Sequence, residues 1–243
     1  MPKLGLGNAS SSGSSMITPG VVTDNLVMKH MYPAGAVHPV SDGAAYFGGV
    51  ASNDRINITE TVFNVDGASY TFAFWAKRNV LSTTMVVMGH SSTANERFIR
   101  FNTSNEIKIE SDTANDVATI TQNTNDTNWH HYAITITGSG STIVAYQDGA
   151  LCADSGNVGD DNMTINIIGA STAYDYEFNG YLCNIGIWDA VLTQAQVKSI
   201  MWKQYANLTT TESANLIHWW ALDEGAGTSA ADSKGGNTGT LPS

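Results

Sequence analysis

Charge is scarce in this 243-residue chain. Only 14% of its residues are Asp, Glu, Lys or Arg, against the usual quarter. Basic residues are scarcer still: 11 Lys and Arg face 22 Asp and Glu, for a net charge of −11. So acidic a body repels a phosphate backbone, which argues against nucleic-acid partners, and it repels anionic membrane surfaces for the same reason. Up to residue 43, Lys3 and Lys29 balance Asp24 and Asp42, so the whole excess falls on the remainder of the chain. Cysteine is nearly absent. Cys152 and Cys183 do not make a disulfide framework; they are either buried free thiols or a single bridge. No stretch approaches the roughly 20 apolar residues of a membrane span. The opening MPKLGLGNASSSGSSMITPG has no apolar run of signal-peptide length. The expectation is a soluble chain that is not exported by the usual route.

What fills the gap is Thr, Ser, Asn and Gly, beside 42% hydrophobic residues. That is the composition of strands joined by turns, and the length suits one large all-β domain. Residues 1–43 read as an extended arm. GNASSSGSSMITPG is too poor in apolar side chains to order itself, and Pro19, Pro33 and Pro39 keep the rest irregular. From Ala44 the pattern turns to period two: AAYFGG, DRINIT, YTFAFWAK, TMVVMGH, RFIRFNT, EIKIESD, DVATIT, WHHYAITIT, TIVAYQD, MTINIIG and FNGYLCNIGIWDA. Turn residues separate them, and Asp148-Gly149 is a two-residue hairpin signal. Such a series predicts a two-sheet antiparallel sandwich. One helix is expected in LTQAQVKSIMWKQY, where Thr193 and Gln196 form a capping box. A second helical turn is expected near Thr209–Ala214. The segment 204–243 then supplies strands that complete the sandwich of residues 44–243.

His130 and His131 look at first like a metal or catalytic pair. In a strand, however, neighbours point to opposite faces. His131 lies with Trp129 and Ala133, and His130 with Tyr132, Ile134 and Ile136, so the two cannot grip one ion. They read as structural.

YTFAFWAKRN, NWHHYAITIT, TIVAYQDGALCAD and FNGYLCNIGIWDAVLTQAQVKSI, in that order and spacing, resemble the laminin-G-like, concanavalin A-like jelly-roll family. The resemblance covers about residues 44–203. It implies two sheets face to face with the helix across one end, and it makes the Trp-His-His strand scaffold. The layout as a whole also resembles virion proteins of marine tailed phages, cyanophages especially, through MPKLGLG, the Ser/Gly stretch, VVTDNLVMKHMY and AAYFGG. This implies a non-enzymatic virion component, a head decoration or a tail or fibre appendage. The arm would anchor it to other virion proteins, assembly would take place in the host cytoplasm, and the subunits would form a homo-oligomer. The alternative is a carbohydrate-binding, lectin-like adhesion module that recognises host surface polysaccharide.

Some glycosidases of this fold carry Glu-x-Asp-x-Glu on one strand. Here Glu106-Ile-Lys108-Ile-Glu110 has Lys108 in place of the central Asp, which undermines that mechanism. No catalytic residue is expected. Candidate calcium ligands lie in three loops, at Asn53 and Asp54, at Asp160 and Asp161, and at Asp232 and Asn237; calcium takes oxygen ligands from just such loops. One structural calcium is the expected cofactor. Tyr174, Asp175, Tyr176 and Glu177 combine aromatic faces with polar groups and are the candidate glycan contacts.

Overall fold

The structure is a computed structural model. It describes residues 37–50, 52–65, 67–91, 98–111, 117–138, 142–155, 157–158, 162–171 and 176–242. Residues 1–36 of the arm, and Tyr174, Asp175, Asp160 and Asp161 among the candidate site residues, lie outside the described residues. From Val37 onward the chain forms one compact unit.

Two antiparallel sheets pack as a sandwich. Sheet A runs in the order β1 (Ala45–Gly48), β13 (Asn179–Trp188), β3 (Tyr70–Arg78), β8 (Trp129–Thr137), β9 (Thr142–Gln147) and β10 (Ala150–Leu151), with β14 (Leu216–Trp220) also paired to β13. Sheet B runs β11 (Ala153–Ser155), β7 (Val117–Thr121), β6 (Ile107–Glu110), β5 (Ile99–Phe101), β4 (Met85–Gly89), β12 (Asn162–Ile168), β2 (Ile56–Asn64), β16 (Gly239–Thr240) and β15 (Ser229–Ala230). The Asp148-Gly149 hairpin joins β9 to β10, with φ of 52° and 73° at its two central residues, the left-handed pair that a type I′ turn requires.

Between the sheets, Phe47, Phe72, Phe74, Tyr132, Ile134 and Leu182 from A meet Phe63, Val87, Phe101, Ile109, Ile120 and Ile165 from B. Each such side chain contributes about 1.5–3 kcal/mol by leaving water. The outer face of A is covered as well. Trp188, Leu192, Val197, Ile200, Leu216 and Trp219 form a second apolar layer over Ala73 and Ala133. The central strands of A are therefore buried on both faces, which explains why FAFWA and NIGIW read as unbroken apolar runs rather than clean alternations.

The covering helix α1 (Gln194–Ile200) starts at the Thr193–Gln196 capping box. It ends earlier than its apolar stripe suggests. Trp202 and Lys203 turn back to the carbonyls of Ser199 and Ile200, and the Met201 carbonyl accepts from Trp75 Nε1 at 3.2 Å. The last turn is thus drawn into contact with the sheet instead of continuing. The short helix α2 (Thr210–Ser213) has its own capping box, Thr209 with Glu212, and the Glu212 carbonyl accepts from Trp188 Nε1 at 2.6 Å. The C-terminal segment adds β14 to sheet A beside β13, and β16 and β15 to sheet B, with β16 beside β2. Residues 37–43, placed in the arm by composition, lie on the sandwich: Val37 packs near Trp75, Cys183 and Met201, and the Val40 carbonyl accepts from Asn184 Nδ2 at 3.0 Å. Cys152 and Cys183 are both free and buried. Among the described residues, no helix is long and apolar enough to cross a membrane.

Candidate functional site

The second apolar layer stops short of one end of sheet A. There the outward positions of four strands line up in register: Tyr46 on β1 opposite Tyr181 on β13, Tyr181 opposite Lys77 on β3, and Lys77 opposite Trp129 on β8. The inward neighbours of these residues, Phe47, Leu182 and Ala76, are core, so the phase of the pleat alone turns the row outward. Tyr46 is 55% exposed, and the other three are half-buried. The Tyr46 and Tyr181 rings are 5.0 Å apart and the Tyr181 and Trp129 rings 6.2 Å apart. The Lys77 ammonium sits 5.9 Å from the Tyr181 ring centre, within cation–π range. Three inter-strand spacings make the row roughly 14 Å long.

Local structure holds the row in place. Gly180 has φ of +147°, and a Cβ there would collide with the Lys77 carbonyl oxygen. Glycine therefore lets β13 close onto β3 beside the row. At its outer edge, Asn79 Nδ2 donates to Asn179 Oδ1 at 3.1 Å. One pleat repeat along β3 from Lys77, Trp75 carries Trp202 at a ring distance of 6.1 Å; Trp202 is 50% exposed. Around the rim, Tyr46 also lines a groove of about 260 Å³, with Ala44, Ile56, Leu222, Glu224 and Leu241 among its walls.

The described residues among those singled out from sequence are engaged in hydrogen bonds within the fold. Asp232 is buried, and five donors reach its carboxylate. Trp219 N, Lys234 N and Gly235 N donate to Oδ1, and Asn237 N and His218 Nδ1 to Oδ2, at 2.7–3.0 Å. An aspartate offers about four lone-pair sites, so its oxygens are engaged by N–H donors where a cation was expected. Burial works to raise this carboxyl's pKa, but the hydrogen bonds from Gly235, Trp219, His218 and Asn237 outweigh it and leave the pKa low. Asn237 ties the same loop to β2, accepting from Thr59 N at 2.7 Å and donating to Thr59 O at 2.9 Å. Asp54 Oδ2 accepts from Gly48 N at 2.8 Å, while Asn53, at φ 62°, turns its oxygens to Arg55. Glu177 is buried and accepts from Ser52 N at 3.2 Å. The glycan candidate thus braces one of the calcium-candidate loops. Tyr176, at φ 57°, accepts on its carbonyl from Val86 N at 2.9 Å. Among the described residues, no group of three or more His, Cys, Asp and Glu is placed to hold a metal ion. Glu106 and Glu110 lie on the outer face of sheet B, paired with Lys108 at 3.0 Å and with Arg100. Hydrogen bonds from Asn102 and Lys108 lower the Glu106 pKa.

A family model described as the concanavalin A-like lectin/glucanases superfamily matches residues 48–198. The chain belongs to that superfamily. Among solved structures, a candidate carbohydrate-binding protein of Bacteroides ovatus superposes with a TM-score of 0.61 at 18% identity, over 82% of this chain. The chain spans 58% of that protein's length. A heptameric SAP-like pentraxin of Limulus polyphemus gives 0.46 at 14% identity, over 64% of this chain and 80% of its own. The CBM40 of a Ruminococcus gnavus IT-sialidase gives 0.41 at 10%, over 66% and 99%. No curated protein matches.

In this concanavalin A-like chain the two histidines divide as strand geometry requires. His130 is gripped by Asp148 at 2.6 Å and Asp126 at 2.9 Å. Burial disfavours its charge, yet the two carboxylates win and raise its pKa. His131 is buried against Trp75, at a ring distance of 5.4 Å, and desolvation pushes its pKa down to about 4. The His130 ring and the His131 N–H both bond the Asp148 carboxylate in the β9–β10 turn, and His130 also holds the loop that leads into Trp129 through Asp126. Sequence reasoning missed the row itself. Its members are spread from Tyr46 to Tyr181, and only strand register brings them together. The signal available was phase: each is a large residue at an outward position of its strand.

Proposed function

We propose that this protein binds carbohydrate, without hydrolysing it, on the outer face of sheet A. One observation carries the reading, the register-aligned row Tyr46–Tyr181–Lys77–Trp129. Sugar rings present a C–H face that stacks on aromatic rings while their hydroxyls seek nearby polar groups, and Asn79, Asn179 and Lys77 supply such groups beside the rings. A row about 14 Å long suits an oligosaccharide chain better than a single ring. The fold class supports the reading, since lectins share it. The state of Glu106 and Glu110 supports the non-hydrolytic part. Both are held in ion pairs, and glycoside hydrolysis needs a carboxylic acid kept protonated beside a second carboxylate.

Affinity electrophoresis against a panel of bacterial surface polysaccharides, with calcium and then with chelator, tests this reading. The wild type is retarded by at least one polysaccharide, Tyr46→Ala and Trp129→Ala are retarded less, and the polysaccharide is recovered uncleaved. Equal retardation of both variants and the wild type would refute the assignment of the face. Shortening of the polysaccharide would refute the non-enzymatic reading.

A further inference from the structure

We infer that the sugar bound on this face is anionic, with a carboxylate or sulphate that meets Lys77. The inference rests on the row being the sugar-binding face. In a chain with 22 acidic and 11 basic residues, a lysine would be expected to find a carboxylate. Arg100, Lys108 and Lys203 each do, at Glu110, Glu106 and Glu212. Lys77, like Lys198 and Lys234, pairs with no carboxylate among the described residues; what sets it apart is its place in the aromatic row, against the Tyr181 ring. Asp126, three residues from Trp129, is taken up by His130 and by Asn128. Lys77 thus offers a cation at the centre of an aromatic row, flanked by Tyr181 and Trp129 and without a competing anion.

The energetics favour a contact pair here over long-range attraction. The net charge of −11 opposes any anion at a distance, but at physiological ionic strength distant charges are screened beyond about 8 Å. An ammonium and a sugar anion in hydrogen-bond contact lie well inside that length. Partial burial beside the Tyr181 ring lowers the local dielectric and strengthens the pair. The rings themselves do not discriminate charge; stacking holds the chain, and Lys77 selects which chain.

The test is calorimetric titration with matched pairs of oligosaccharides. One pair is a uronic-acid chain and the same chain with its carboxylates reduced to alcohols; the other is a sulphated chain and its desulphated form. The proteins are wild type, Lys77→Met, which keeps an unbranched apolar side chain, and Tyr46→Ala. The expected result is tighter binding of at least one charged chain than of its neutral partner, by about tenfold, the value of one charge-assisted hydrogen bond. Lys77→Met removes that preference, weakening the charged chain far more than the neutral one, while Tyr46→Ala weakens both members of the pair alike. The preferred pair tells a carboxylate from a sulphate. Equal binding of charged and neutral chains, or a preference that survives in Lys77→Met, overturns the inference; if Tyr46→Ala still weakens binding, the sugar-binding face stands. Absence of binding to every chain, or binding that neither variant changes, overturns both. Thermal unfolding of the variants separates lost binding from lost folding, and neither side chain is part of the inter-sheet core.

Discussion

Replacing Asp232 with alanine removes an acceptor that five donors share. Two of those donors, the N–H groups of Trp219 and Asn237, make buried hydrogen bonds and have no access to water in exchange. Each buried donor left unsatisfied costs about 1–3 kcal/mol. Together they cost about 4 kcal/mol, with the part-buried Lys234 and Gly235 N–H groups turning to water. For a chain of this size that lowers Tm by about 10 °C. Asp232→Asn keeps one acceptor oxygen but points an amide N–H at other donors, so about half the penalty remains. Urea denaturation measures both, with the slope expected to stay constant. Because the carboxylate is already saturated, the penalty is the same with calcium or with chelator. The acid limb checks the sign. A carboxyl whose folded pKa lies below its unfolded value contributes stability above the unfolded pKa, about 4, and loses it as pH falls through the folded value. That loss disappears in Asp232→Asn. A penalty under about 1 kcal/mol, or one that calcium changes, would refute the view that this loop is closed by N–H donors alone.

The adjacent histidines should titrate in opposite senses. His131, held at about 4 in the fold, disfavours folding as pH drops below about 6.5, by up to about 3 kcal/mol near pH 4, and His131→Phe flattens that limb of a Tm–pH curve. The folded pKa of His130 is raised, so its contribution is complete below about 6.5 and fades as pH rises through the folded value; His130→Gln removes the fall on the alkaline side. Arg78 is buried with its guanidinium 4.4 Å from the Phe101 ring centre, and it donates to Asn105 and Gln122. Arg78→Ala should cost about 3 kcal/mol in urea denaturation, chiefly through lost packing, since Asn105 and Gln122 keep Ser82 N and Tyr132 Oη as donors, and Arg78→Lys should recover only part of it because it lacks the planar fork. Burial raises the pKa of both cysteine thiols, so a thiol reagent should label neither in the native protein and both in denaturant, and labelling of a folded chain would contradict their burial.

Much of the fold was legible because period two survives wherever one face of a strand stays polar. EIKIE, TIVAYQ and MTINII alternate, and they became β6, β9 and β12. The Asp148-Gly149 turn and the Thr193 cap were legible because their chemistry is local. The double cover on sheet A was less so. YTFAFWAK hides its phase because Ala73 and Trp75 are buried under Met201 and the helix layer, and only the inward Phe72 and Phe74 stood out. The site was not legible. Asp232 reads as a calcium ligand and Glu177 as a glycan contact because carboxylates that accept hydrogen bonds within the fold and carboxylates that bind ligands share loop chemistry, and sequence does not reveal which donors will arrive. The aromatic row depends on register between strands far apart in the sequence, Tyr46 with Tyr181 and Lys77 with Trp129, which no local pattern encodes. The virion reading rests on the chain's opening, and residues 1–36 lie outside the described residues. Removing those residues and scoring particle incorporation tests it separately, and sugar binding should survive the deletion.

The most direct test follows the six tryptophan indole N–H resonances by NMR while a bound oligosaccharide is titrated in. Trp129 belongs to the row and Trp202 is half exposed beside it; Trp75 is buried next to Trp202, and Trp188, Trp219 and Trp220 are buried elsewhere. The account predicts saturable shifts at Trp129 and Trp202, with Trp188, Trp219 and Trp220 unmoved. Saturable binding that leaves Trp129 and Trp202 unshifted, or that shifts the other indoles instead, would contradict it.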